Sequence, residues 1–168
     1  MGFTEAVRHC LANFANFQGR APRSQYWWWI LFSLIVGAVT GFADGLIFGA
    51  DPDSPGALNS LASLALLVPS LAVTARRLHD HNRSGWWQLA PYGMVPVALA
   101  TATLQPPILF AAACIAAVAL VLVLFYWMVT RGTAGTNSFG PDPLGPHRPG
   151  DGDGSQYHTS TIPRAGQD

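Results

Sequence analysis

The chain contains no lysine and only one glutamate, Glu5. Charged residues make up 11% of its 168 positions, against roughly a quarter in soluble domains. Arginine alone balances the acids, and the formal net charge is zero. This thin charge complement excludes a wholly disordered chain and a nucleic-acid binder of basic composition, and it argues against an ordinary soluble enzyme. Two cysteines, Cys10 and Cys114, are too few for a disulfide framework, and they fall at different membrane depths, so both are expected as free thiols. Ser-His-Asp order and paired carboxylates are also missing. The segment Gly132-Thr133-Ala134-Gly135-Thr136 has the glycines of a phosphate loop but not its lysine or following helix, and reads as a tight turn.

What is present is apolar: half of the residues are hydrophobic, and six are tryptophan. Four runs stand out, Trp27–Phe48, Leu58–Ala75, Trp86–Leu104 and Pro107–Thr130. At about 1.5 Å per residue each spans roughly 27 to 36 Å, enough for a bilayer core about 30 Å thick. The prediction is an all-α membrane protein with four transmembrane helices. Arg8, Arg20 and Arg23 precede the first run, Arg76, Arg77 and Arg83 separate the second from the third, and Arg131 follows the fourth. The Gly49–Ala57 connection carries only Asp51 and Asp53, and Gln105–Pro106 carries no charge. Arginine marks the cytoplasmic side, so both termini are expected there in a multi-pass plasma-membrane protein.

Residues 1–19 lack the pattern of a cleaved signal peptide. Phe3, Val7, Cys10, Leu11, Phe14 and Phe17 recur at spacings of three and four, which predicts an amphipathic helix of about four turns. Such a helix either lies in the headgroup region or packs on the end of the bundle. Residues 20–140 then form the membrane domain. Residues 141–168, rich in Pro and Gly, cannot bury enough apolar surface to offset ordering and read as a disordered cytoplasmic tail.

Two helices begin with nearly the same words: Arg23-Ser24-Gln25-Tyr26-Trp27-Trp28 and Arg83-Ser84-Gly85-Trp86-Trp87. Ser24 and Ser84 are placed to cap helix starts, and the tryptophans suit headgroup depth. The doubling fits two related helical hairpins. It also fits the common needs of any helix that enters from the cytoplasm.

Three segments resemble signatures of the membrane family called domain of unknown function 805. They are Phe17-Gln18-Gly19-Arg20-Ala21-Pro22-Arg23-Ser24-Gln25-Tyr26-Trp27, then Arg76-Arg77-Leu78-His79-Asp80-His81-Asn82-Arg83-Ser84-Gly85-Trp86-Trp87, and last Gly132-Thr133-Ala134-Gly135-Thr136-Asn137-Ser138-Phe139-Gly140-Pro141-Asp142-Pro143. The resemblance covers about Phe14 to Leu144. It implies a small bacterial inner-membrane protein with several helices, and no activity.

All three segments fall at the expected cytoplasmic face, where Arg20, Arg23, Arg76, Arg77 and Arg83 surround one acid, Asp80. Guanidinium grips phosphate in a bidentate way, so these arginines could hold an anionic lipid headgroup; alternatively they set topology while Asp80 pairs with one of them. His79, Asp80, Ser24, Ser84, Gly85, Trp86, Asn137, Gly140 and Asp142 complete the expected structural network. His79-Asp80-His81 could suggest a metal, but the flanking arginines disfavour a divalent cation, and no metal or other cofactor is expected. Asp44 lies inside the first run near its outer end, within reach of water. Gly37, Gly41, Gly45 and Gly49 repeat every fourth residue, a spacing that lets another helix, or another copy, approach closely. Pro69, Pro91 and Pro96 should kink their helices. The residues favour a binding or scaffolding module for anionic lipid, a membrane-protein partner or a second copy. A small transporter or channel comes second, and a lipid-modifying enzyme using His79 and Asp80 third.

Overall fold

The computed structural model describes residues 1–49, 56–104 and 107–145. Asp51, Asp53, the Gln105–Pro106 turn and residues 146–168 of the expected tail lie outside the described residues. Within them the chain forms helix α1 (Phe3–Ala12), α2 (Arg23–Phe48), α3 (Ala57–Asp80), a 3-10 turn (Gly85–Leu89), α4 (Ala90–Leu104) and α5 (Pro107–Val129), with no strand. Helices α2, α3 and α5 are long and apolar enough to cross a membrane. The third apolar run divides: its first residues wind as the 3-10 turn, which leaves α4 with 15 residues.

The first amphipathic helix is shorter than its spacing predicts, ten residues instead of four turns. Asn13 ends it, because its backbone N–H and its side-chain amide both donate to the His9 carbonyl, each at 3.0 Å. Ala6 and Cys10 are buried against the rest of the protein, whereas Leu11, Phe14 and Phe17 stay exposed. Cys10 and Cys114 are both free.

Helix α3 runs past the predicted end of its span through Arg76, Arg77, Leu78, His79 and Asp80, so these residues form a final helical turn rather than a loop. It stops in a Schellman arrangement: Asn82 takes φ +55°, its N–H donates to the His79 carbonyl at 2.9 Å, and the Arg83 N–H donates to the Leu78 carbonyl at 3.0 Å. Asn tolerates the left-handed conformation better than other non-glycine residues, which suits it to this position.

Helices α2 and α3 pair antiparallel. Trp29 Nε1 donates to Ser70 Oγ at 3.0 Å near one end, and Thr40 Oγ1 to Asn59 Oδ1 at 3.1 Å toward the other. Asp44 is buried, not water-exposed as its sequence position suggests. Its two oxygens accept the Leu58 and Asn59 backbone N–H groups at 3.0 and 2.8 Å, capping the start of α3. Of the glycine stripe, a methyl at Gly37 would meet Asn59 at 3.9 Å, and one at Gly41 or Gly45 would meet nothing within 4 Å, so these glycines do not bring a helix close. Pro69 lies within α3, and Pro91 falls in the first turn of α4, where no intrahelical hydrogen bond is lost.

Helices α4 and α5 pack on each other, and the two hairpins meet at one end. There Trp27 and Phe125 stand edge to face at 6.4 Å, and the end of α5 receives side chains from α2 and α3. The buried apolar residues crowd this same end: Ala21, Trp29, Val73, Ala75, Leu78 and Met128. Away from it, Phe42, Leu46, Leu61, Leu64 and Ile115 are exposed, as expected of helix faces that meet lipid tails.

Candidate functional site

The polar end is organised around Asp80, the last residue of α3. One carboxylate oxygen accepts from Arg20 Nε at 3.0 Å and lies 2.9 Å from Arg20 Nη2 in an ion pair, and the other accepts from Arg77 Nη1 at 2.5 Å. All three side chains are buried. One carboxylate between two guanidiniums leaves an excess positive charge out of water, which costs several kcal/mol unless other groups compensate. Backbone carbonyls supply that compensation. Arg20 donates to the carbonyls of Thr133 at 2.5 Å, Gly135 at 2.6 Å and Gly140 at 3.3 Å. Arg77 donates to those of Trp127 at 3.0 Å, Met128 at 3.5 Å and Thr130. The Arg77 acceptors are the unpaired carbonyls at the end of α5, where the helix dipole is negative, so Arg77 caps one helix from the last turn of another.

The loop after α5 closes over this hub. Thr133 donates to the Asp80 carbonyl through both its N–H and its hydroxyl, each at 2.9 Å. Gly132 lies so close that a methyl there would overlap the Asp80 carboxylate and come within 2.7 Å of the Asp80 carbonyl oxygen. The segment therefore needs glycine at 132 for space and at 135 for its turn, where φ is +76°. Asn137 donates from Nδ2 to the His79 carbonyl at 2.8 Å and bridges to Gly140 through a backbone pair. Phe139 stacks on the His79 ring with centroids 3.9 Å apart, while His79 Nδ1 lies 3.1 Å from the Gly19 carbonyl. Asp142 accepts the Gly135 and Leu144 N–H groups at 3.1 and 2.9 Å. Burial works against its charge, but those two hydrogen bonds, with Arg20 and Arg131, hold its carboxyl below the usual range. His81 Nε2 lies 3.2 Å from Arg77 Nη2, and burial followed by the Arg77 charge pushes its ring below the ordinary value.

The predicted residues thus separate into groups. Arg20, Arg77 and Asp80 converge, with Asn137, Gly140, His79 and Asp142 around them. Arg76 is buried nearer α1, its Nε 3.4 Å from the Ala72 carbonyl. Arg23 and Arg83 do not join the hub. Arg23 is exposed and reaches the Val129 carbonyl at 3.2 Å, and the exposed Arg83 holds its guanidinium over the ring of half-buried Trp127, 5.4 Å from the centroid. Ser24 is no cap: α2 begins at Arg23 with Pro22 in the capping position, two residues earlier, so Ser24 already lies in the first turn. Ser84 does accept the Trp86 N–H, at 3.4 Å, and Trp86 is exposed. Gly85 packs under α3, where a methyl would stand 2.7 Å from Ala75 Cβ. Sequence reasoning missed Gly132, Thr133, Phe139 and Asn82 as hub residues. The glycine pair signalled a turn, and nothing local showed that the first glycine is spared a side chain by a residue more than fifty positions earlier.

An all-helical chain with three helices fit to cross a bilayer, locked at one end by a buried Arg–Asp–Arg triad, defines an integral membrane protein. It belongs to the family described as protein of unknown function (DUF805), whose model matches residues 14–141. It is 33% identical to inner membrane protein YhaH of Escherichia coli over 79% of this chain and 91% of that one. It is 37% identical to inner membrane protein YhaI of the same organism over 79% of this chain and 90% of that one. No solved structure matches the chain.

Proposed function

We propose that the protein is a membrane binding module that crosses the bilayer four times, with both termini in the cytoplasm and an arginine-bearing face turned to anionic lipid. Helix α5 ends at the hub, and its 23 residues reach about 34 Å away from it. The 3-10 turn starts beside the hub at Ala75. Together with the 15 residues of α4, that turn covers about 32 Å, enough to return the chain to the start of α5. The shortened α1, docked by Ala6 and Cys10, would lie with Leu11, Phe14 and Phe17 toward the headgroups.

The observation that carries the binding role is the division of the arginines. Arg20, Arg76 and Arg77 are buried, whereas Arg8, Arg23, Arg83 and Arg131 are exposed around the same end. Asp80 is held by two guanidiniums and His79 by a carbonyl and a ring stack, which leaves neither placed for acid–base chemistry. Asp44 spends both oxygens on a helix start, which removes support for an ion path. Each exposed arginine near an anionic surface contributes about 1 kcal/mol. Replacing Arg23, Arg83 and Arg131 together with Gln should therefore weaken retention of phosphatidylglycerol by about 3 kcal/mol, on the order of a hundredfold. Lipid counted by mass spectrometry after nanodisc exchange reads the effect, which should fade in high salt. Unchanged retention would remove the lipid role and leave a protein partner as the occupant of that face.

A further inference from the structure

The contact between α1 and the membrane domain has its own chemistry, separate from the Asp80 hub. Cys10 and Gln25 are fully buried and Arg76 is 3% exposed. Gln25 Nε2 lies 2.7 Å from His9 Nδ1 and 3.5 Å from Cys10 Sγ, so one amide from α2 meets two adjacent side chains of α1. The Arg76 guanidinium, from α3, acts through its charge on both the His9 ring and the Cys10 thiol. Among the described residues, Gln25 Oε1 is buried without a hydrogen-bond partner.

We propose that His9 is a proton-sensitive latch for α1: protonation places a second cation beside buried Arg76 and releases α1 from α2 and α3. The charged and titratable groups that face His9 are Arg76 from α3, Glu5 and Cys10 from α1 itself, and the neutral Gln25 amide from α2. Among these groups Glu5 favours the protonated ring. It is exposed, and it already accepts the Gly2 N–H at 3.2 Å. Burial and Arg76 outweigh it and hold the His9 ring below its ordinary value, so in the docked helix the ring is neutral at pH 7. A neutral Nδ1 can accept from Gln25 Nε2, whereas an imidazolium has to turn the buried amide over to reach Oε1 and so gives up the contact as built. The released helix binds the proton more readily, so acid favours release. The shift begins below the ordinary value of 6.5, and each further pH unit moves the equilibrium by up to tenfold until the lower docked value is reached. Release would free the buried face of α1, Ala6 and Cys10, beside the already exposed Leu11 and Phe14.

Cys10 reports the state directly. The full chain, carrying Cys114→Ala so that one thiol remains, is placed in nanodiscs and treated with 4,4′-dithiodipyridine, which reacts with thiols in acid as well as at neutral pH. Labelling should be slow at pH 7.5 and rise below pH 6.5 by up to about tenfold per pH unit, with far-UV circular dichroism showing the membrane helices intact. His9→Asn keeps an acceptor toward Gln25 and cannot titrate, so its labelling should stay slow throughout. Should that variant loosen α1 already at pH 7.5, Gln25→Glu decides: its carboxylate would pair with the imidazolium and suppress the acid rise. A wild-type rate flat down to pH 5, loss of the helical signal together with the rise, or the same rise in the deciding variant overturns the latch.

Discussion

Gly132 and Gly135 stand three residues apart in one loop and are glycines for different reasons. At Gly135 the backbone is left-handed but the space beside it is open, so Gly135→Ala should cost about 1–2 kcal/mol of conformational strain. At Gly132 the side-chain space is filled by Asp80, and Gly132→Ala should push the loop off the hub. Arg20 would then lose carbonyl partners while still buried, a cost of about 3–5 kcal/mol. Thermal melting followed by circular dichroism should rank Gly132→Ala far below Gly135→Ala; equal melting would deny that Asp80 fills the space. His81 adds a pH dependence. Its folded ring is held below the ordinary 6.5 by burial and Arg77, so its contribution to stability is present above that value and declines as pH falls from 6.5 toward the lower folded value. His81→Asn should flatten the stability profile between pH 7 and 5 without raising stability at pH 7.5.

At the scale of elements, the contact between the 3-10 turn and α3 depends on one missing methyl. Gly85→Ala would set its Cβ 2.7 Å from Ala75 Cβ and 3.2 Å from Ala75 Cα. The substitution should destabilise by about 1–3 kcal/mol through overpacking. Adding Ala75→Gly should restore part of that loss, because the closer of the two clashes disappears. A double variant no better than Gly85→Ala would show that the turn is placed by something else. The element boundaries also show what the sequence could convey. The runs that form α2, α3 and α5 were legible because lipid-facing helices need only apolar length, a property visible in one stretch of chain. The last turn of α3 was not legible: Arg76, Arg77 and Asp80 read as the end of a span, and only residues sixty positions before and fifty after make their burial tolerable. The same holds for the arginine cluster. Composition could count five arginines around Asp80, but separating Arg20 and Arg77 from Arg23 and Arg83 required the fold. Asp44 fell to the same limit, since its partners, the N–H groups of Leu58 and Asn59, lie beyond a connection whose geometry no local pattern encodes.

For the whole molecule, the hub fixes which ends of the helices lie together: the starts of α2 and the 3-10 turn and the ends of α3 and α5. If that end is cytoplasmic and the chain crosses four times, as proposed, a reporter fused after Ala57 should read outside and one fused after Asp168 inside; an outside signal at Asp168 would refute four crossings. The joining of the hairpins at this single end also bears on how the protein is made. Arg20, Arg77 and Asp80 leave the ribosome well before the carbonyls of Trp127–Gly140 that complete their hydrogen bonding. A nascent chain that has inserted its first hairpin holds two guanidiniums against one carboxylate with most of their acceptors still unmade. Its polar end therefore has to be hydrated by water until the closing loop arrives. The closing loop, translated after both hairpins, is thus the segment that completes the burial of the first.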